Sequence, residues 1–227
     1  MKRVKLLLAA LALFLLASGS YLALQFNQGS TKAKVKADPN YRLSQEQKDV
    51  LQEGDIILRR GEGFVSSVIA NLDEVDYNLS HCAFITKGQK DWMIIHSVSK
   101  GLSGFDGVQA ETIDHFTATS VAKTLVILRL KTDYSNRVNI SKRARYYLDQ
   151  KVPFDHGFDL SDTTSFYCTE LLHRSIQDVL HRDVFASRFN TDHPHYVHFD
   201  ALLDTAEFEL IINHQGQAVS KFMGLEP

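Results

Sequence analysis

The stretch from Ser80 to Val98 constrains this chain more than any other. Ser80-His81-Cys82-Ala83-Phe84-Ile85-Thr86 and Trp92-Met93-Ile94-Ile95-His96-Ser97-Val98 are strand-like runs that flank Lys87-Gly88-Gln89-Lys90. Two such runs around a short glycine-containing segment predict a β-hairpin. Gly88 in the first central position fits a two-residue type II′ turn. Centring the turn between Gly88 and Gln89 sets Thr86 opposite Asp91, Ile85 opposite Trp92 and His81 opposite His96. Cross-strand partners share a face and lie within contact reach. His81 and His96 are therefore expected as neighbours, on the face of Ala83, Ile85, Trp92 and Ile94. Cys82 and Phe84 are expected on the other face. A slip of one residue would undo the pairing.

The other segments fall around this hairpin. Ser44 to Gln52 predicts a short helix, with Ser44 as N-cap and Gln47 completing a capping box. Gly54-Asp55 turns into a strand, Ile56-Ile57-Leu58-Arg59, which Gly61 to Gly63 breaks. Phe64, Val68, Ile69 and Leu72 have helical spacing. Gly101 to Gly107 reads as a loop and Val108 to Ile113 as a strand. Thr124 to Leu130 is a continuous apolar run suited to a central strand. A helix is expected over Ile140 to Gln150, capped by Asn139 or Ser141, then a loop over Lys151 to Asp159, a helix over Thr169 to Arg182 and a last strand over Phe208 to Ile212. The order predicts one α+β domain.

Composition bounds the rest. The chain has 227 residues, 44% hydrophobic and 23% charged, enough for one domain with a sizeable core and an appendage. Net charge is −2 and no basic stripe carries interleaved aromatics, so a nucleic-acid partner is not expected. Lys2, Arg3 and Lys5 precede an apolar run from Leu6 to Ala17, then Ser18-Gly19-Ser20 and Tyr21 to Leu24. Residues 1–24 read either as a cleaved secretory signal or as an uncleaved anchor in contact with the membrane. Both place the body of the chain outside the cytoplasm, in the periplasm or tethered facing it. No cysteine follows the apolar run, so a lipoprotein anchor is excluded. Residues 25–43 read as a polar linker and 44–227 as the domain. The two cysteines, Cys82 and Cys168, are too few for a disulfide scaffold, and the direction of Cys82 argues against a bond between them.

Cys168 is the candidate nucleophile. Apolar residues at Leu171, Leu172, Ile176, Val179 and Leu180 form one helical stripe, so Cys168 stands at a helix start. Unsatisfied N–H groups and the positive helix end favour the thiolate there. His81 on its strand would serve as base and His96 would hold its tautomer. Backbone N–H groups at the helix start, that of Cys168 included, would stabilise an oxyanion. The plainer alternatives are a buried small cysteine and two histidines bonded to backbone on a half-buried sheet. His193-Pro194-His195-Tyr196-Val197-His198 is a metal candidate, but a polar His-rich loop is the simpler reading because no companion Cys or acid has ligand spacing. No metal or cofactor is expected. His173, Gln177 and His181 share a helix face read as solvated. Phe154 and Phe158 read as core or pocket-wall residues, and Asp155 and Asp159 as turn residues.

Gly54-Asp55-Ile56-Ile57-Leu58-Arg59, Ser80-His81-Cys82-Ala83-Phe84-Ile85, Ile94-Ile95-His96-Ser97-Val98, Phe154-Asp155-His156-Gly157-Phe158-Asp159 and Phe166-Tyr167-Cys168-Thr169-Glu170-Leu171-Leu172 occur in that order. This set resembles the circularly permuted NlpC-type papain-like cysteine hydrolases of the bacterial YaeF/YiiX group, over roughly Glu53 to Val184. The resemblance implies a permuted papain-like fold, an antiparallel β-meander or barrel packed against a helix headed by the catalytic cysteine. It implies His81 and Cys168 as catalytic residues and His96 in the orienting position, where many members carry Glu. Tyr167, Glu170 and Asp55 stand as substrate-binding candidates, Glu170 equally as a helix-capping acid. The implied activity is an amidase or peptidase acting through an acyl-thioester, on a cell-wall peptide such as a peptidoglycan stem. A lipid-amide or acyl-group substrate and a non-catalytic peptide- or acyl-binding module are the alternatives. The Asn-Cys-Glu-His-Phe motif of the related acyltransferase branch is missing from the sequence.

Overall fold

Alternation along the strands sorts the core onto the two faces of one sheet. Ile56, Leu58, Cys82, Phe84, Ile95, Val126 and Leu128 face one side. Ile57, Ala83, Ile85, Ile94, Ile127 and Ile212 face the other. This is the period-2 rule acting on strands that are buried on both faces. The computed structural model describes residues 36–71, 77–186 and 196–225. The expected signal or anchor at 1–24 lies outside them.

In chain order the elements are α1 (Gln45–Asp49), β1 (Ile56–Arg59), α2 (Gly63–Ile69), β2 (His81–Lys87), β3 (Trp92–Val98), α3 (Lys100–Ser103), β4 (Gly107–Thr112), α4 (Ile113–Ala118), β5 (Val126–Leu130), α5 (Tyr134–Asp149), α6 (Cys168–Leu180), α7 (Phe199–Leu202), β6 (Phe208–Asn213) and α8 (Gln217–Phe222). The strands form a six-stranded sheet in the order β4-β3-β2-β1-β5-β6. Every pairing is antiparallel. The sheet is open, with β4 and β6 at its edges, where the sequence allowed a barrel. The result is a mixed α+β fold. Helices α5 and α6 cover the face of Leu58 and Phe84, through Ile140, Ala144, Leu171, Leu172 and Ile176. Ile113 and Phe116 of α4, with Leu43 and Leu51, cover the other. Among the described residues, no helix is long and apolar enough to cross a membrane.

The hairpin forms, but its register differs from the expected one. Thr86 meets Met93 and Lys87 meets Trp92. Asp91 leaves the strand because its carboxylate pairs with Lys48 Nζ at 2.7 Å and accepts the Trp92 N–H at 2.7 Å. The Trp92 indole N–H also donates to the Lys48 carbonyl. Gly88 to Asp91 therefore form a longer loop, and Gly88 does not take the left-handed φ of a type II′ turn. The shift is by two residues, so every side chain keeps its face.

Other boundaries move for similar tertiary reasons. Helix α5 begins at Tyr134, well before Ile140, with Asp133 as N-cap. Arg137 in its first turns donates to Gln52 Oε1 at 2.8 Å and to the Thr132 carbonyl, which ties that turn down. Ile113 starts α4 instead of ending β4, because the Thr112 hydroxyl caps the His115 N–H. The end of the expected linker is part of the fold: Leu43 is buried and the Asp38 N–H bonds the Ser120 carbonyl. The compact unit runs from Lys36.

The Gly54-Asp55 pair is architectural. Gly54 has φ +84°, and a Cβ there would stand 2.5 Å from the Arg137 carbonyl oxygen. Asp55 is fully buried and accepts Arg129 Nε and NH2, each at 2.8 Å, and the Gln52 N–H at 2.8 Å. It lies beyond the start of β1, roughly 13 Å from Arg59 at 3.3 Å per residue. Its carboxylate is taken up by these donors and lies remote from the histidines, so its observed contacts are those of a residue that holds the sheet.

Candidate active site

The end of β1 and the start of β2 set Arg59 directly opposite His81. His96 of β3 stands diagonal to His81, on the same face. Diagonal neighbours remain within reach of long side chains, and His81 Nε2 lies 2.8 Å from His96 Nδ1. The predicted pair thus forms, through the diagonal rather than the direct position. Phe116 of α4 backs both rings at 5.8 Å between centroids. The Arg59 guanidinium lies over the same Phe116 ring at 3.9 Å. Its NH1 donates to the Phe116 carbonyl at 2.6 Å and to Thr119 Oγ1 at 2.5 Å. On the far side of His96, Nε2 stands 3.5 Å from Glu111 Oε1, and the other Glu111 oxygen contacts His115 Nδ1.

These surroundings keep the histidines neutral. Burial, then the charges of His96 and Arg59, holds His81 well below the ordinary imidazole range. Burial, then Arg59 and His115, brings His96 down to about 3. Arg59 itself is lowered to about 10 by burial, against the opposing pull of Glu111 and Cys168. A fixed cation beside two imidazoles makes a second positive charge there costly.

Cys168 is the first residue of α6, after Tyr167 at the N-cap, and keeps some exposure to solvent. The Cys82 thiol is the main group holding Cys168 below the ordinary thiol range. Burial opposes it, and the N–H groups of Cys82, Thr169 and Cys168 assist. Burial, and then Cys168, drives Cys82 well above that range. Of the two thiols Cys168 is thus the more acidic, and Cys82 the one that holds its proton. Cys82 does point away from the histidine face, as expected. That is the face on which α6 packs, so its direction brings the cysteines together and does not separate them; both are free thiols. Among the described residues, no hydrogen bond joins Cys168 to His81. The thiol lies against the start of β2, where the N–H that reaches it belongs to the residue after His81.

The other expected site residues lie around α6. Tyr167 is buried, its hydroxyl accepts the Val197 N–H at 3.1 Å, and its ring stacks on Tyr196 at 5.3 Å. Phe158, 42% exposed, packs on both rings. Phe158, Tyr167 and Tyr196 make an aromatic wall beside the helix start. Glu170 falls roughly 200° around the helix from Cys168 at 100° per residue. It is fully buried, and its Oε1 faces Arg174 at 3.3 Å. Arg174 also donates to the Leu160 and Asp162 carbonyls, so this pair holds the loop before α6. Burial raises the Glu170 carboxyl to about 8, with Arg174 opposing. Asp155 accepts the Gly157 and Asp159 N–H groups, the turn role expected of it. His173 is buried 3.3 Å from Asp183, not solvated. Of the histidine-rich run, residues 193–195 lie outside the described residues, and His198 is buried.

Arg59 and Glu111 escaped the sequence reading. Arg59 carried a signal, a lone charge ending an apolar strand of the hairpin sheet. Glu111 carried none, because the loop before β4 hides its register with β3.

No protein-family model matches the sequence, and no curated protein sequence matches it. Among solved structures the chain is similar to the crystal structure of metalloprotein yiiX from Escherichia coli O157:H7. The two are 17% identical with a TM-score of 0.55, over 71% of this chain and 97% of that one. At this identity the likeness establishes architecture: the chain has a YiiX-like α+β fold.

Proposed function

We propose that the chain is a cysteine hydrolase of permuted papain-like type that cleaves an amide through an acyl-thioester on Cys168. The observation that carries this reading is adjacency at one end of β2: a thiol of lowered pKa at a helix start lies against Cys82, and a 2.8 Å imidazole pair begins at the neighbouring residue, His81. The order of histidine before cysteine along the chain agrees with the permuted arrangement.

In this reading the Cys168 thiol gives its proton to His81, the base at the start of β2. The sulfur attacks the carbonyl carbon, and N–H groups at the start of α6 hold the oxyanion. His81 returns the proton to the departing amine as the C–N bond breaks. Water, deprotonated by His81, then attacks the thioester and releases the acid and the thiol. Arg59 discourages a lasting imidazolium, so the proton resides on His81 only during transfer. The aromatic wall of Phe158, Tyr167 and Tyr196 would flank the acyl part of the substrate. The basic and apolar N-terminal segment supports a site outside the cytoplasm, and with it a cell-wall peptide as substrate.

The metal that gives yiiX its description does not fit the described residues. Among them no group of three or more His, Cys, Asp or Glu side chains is placed to hold an ion.

The test is labelling of the reduced full chain by iodoacetamide and by an acyl-electrophile probe, followed by incubation with peptidoglycan stem peptides. Labelling at Cys168 and release of a free amine, both lost in Cys168→Ala, are expected. Equal labelling in Cys168→Ala would remove it as nucleophile. Tight peptide binding with no amine released would leave a binding module.

A further inference from the structure

We propose that Glu111 is a positioning residue that fixes the tautomers of His96 and His81 and leaves His81 Nδ1 without a proton. This deepens the hydrolase reading and rests on it. Antiparallel pairing of β3 and β4 sets Ile94 opposite Glu111 and His96 opposite Gln109. Glu111 is thus the diagonal neighbour of His96 on the histidine face, as His96 is of His81. Its side chain is 17% exposed, and its two oxygens face one histidine each, His96 Nε2 at 3.5 Å and His115 Nδ1.

An ionised carboxylate only accepts hydrogen bonds. At 3.5 Å the contact is electrostatic and not a hydrogen bond, and it favours the tautomer of neutral His96 with its proton on Nε2, toward Glu111, and a bare Nδ1. The 2.8 Å contact between His96 Nδ1 and His81 Nε2 then has one solution: His81 Nε2–H donates. Neutral His81 has no second proton, so its Nδ1 carries a lone pair. Without Glu111 the contact is satisfied equally well with the donor reversed. His81 Nδ1 would then bear a proton in part of the molecules and could not accept one from a thiol. The charged or titratable groups facing this row are Arg59 from β1, His81 from β2 and His115 from α4. Arg59 is a donor without acceptor capacity, so it cannot take over the role of the carboxylate.

The test uses the reduced full chain with ¹⁵N-labelled histidine, read by long-range ¹H–¹⁵N spectra, and hydrolysis of p-nitrophenyl acetate. His81 and His96 are both expected as Nε2–H tautomers in the unaltered protein. A bare Nε2 on His96 would overturn the proposal outright. Glu111→Leu is expected to mix the tautomers and to lower Cys168-dependent ester turnover by at least roughly tenfold. Alkylation of Cys168 by iodoacetamide should hold its rate, because its thiolate rests on Cys82 and backbone N–H groups. An equal fall in both rates would make Glu111 merely structural and sink the idea. Glu111→Gln, whose amide oxygen also accepts, is expected to keep the tautomers and most of the turnover. A protein with the expected tautomers but no Cys168-dependent turnover would support the placement of Glu111 while removing the hydrolase reading.

Discussion

The two ends of β1 treat charge in opposite ways. Before its start, Asp55 accepts two N–H groups of Arg129, and Glu53 accepts the Lys87 N–H and the Ser141 hydroxyl. At its other end Arg59 is half-buried, with its Nε enclosed and without a partner, beside two imidazoles held neutral and a thiol whose pKa is lowered. An ion pair used only to hold the sheet has its hydrogen bonds completed, since a buried charge is otherwise expensive. At the histidine end the cation stands beside groups that can change charge, the two imidazoles and the thiol. The strand thus anchors at one end and carries the proposed site at the other. The charged residue that resembled a family motif, Asp55, belongs to the anchor.

Substitutions at the two ends should separate activity from stability. His81→Asn should lower ester or amide turnover by about 10²–10⁴-fold, the range for a general base, while shifting the melting temperature little. Asp55→Ala should do the reverse. It strands Arg129 and should cost about 3–5 kcal/mol, as for a broken buried pair. That is a fall in Tm of roughly 10 °C, with labelling of the folded protein at Cys168 unchanged. Lost labelling in folded Asp55→Ala would mean that the two ends are coupled.

A smaller effect comes from Glu170. Its carboxyl is raised to about 8, so below that pH the native chain holds a proton that the unfolded chain has released. Stability should therefore fall as pH rises through that value, by at most about 1.4 kcal/mol per pH unit. His81 and His96 act in the opposite sense: their native pKa is depressed, so their contribution is lost as pH falls below 6.5. Denaturant titrations between pH 6.5 and 8 isolate the carboxyl. Glu170→Gln should flatten that window, and an unchanged slope would refute the buried-acid account. The smallest expected change is in Cys82→Ala, which removes the thiol that most favours the Cys168 anion. The alkylation profile of Cys168 should move to higher pH, with the fold retained.

Much of this was legible in the sequence because strands alternate. The hairpin register was displaced by two residues, yet His81 and His96 kept a common face, and the diagonal distance suits imidazoles. Cys168 at a helix start followed from the stripe of Leu171, Leu172 and Ile176. What stayed hidden depends on contacts between distant segments. Asp91 leaves β3 because of Lys48, and α5 starts early because Arg137 finds Gln52. Cys82 meets Cys168 because α6 chooses that face. Glu111 enters the site through a strand pairing that local pattern does not encode. The expected solvation of His173 failed because Val184 and Phe185, beyond the helix, fold back beneath it.

Arg59, His81, His96 and Glu111 come from β1, β2, β3 and β4, one residue per adjoining strand. The row runs across the sheet and ends on an edge strand, so its geometry is held by the ladder hydrogen bonds between successive strands. Edge strands open more readily than interior ones. Each local opening of β4 withdraws the carboxylate while the three inner members keep their places. Warming should therefore reduce the fraction of molecules with a competent base before the domain melts. Amide exchange at Ala110 and Glu111 would report that fraction.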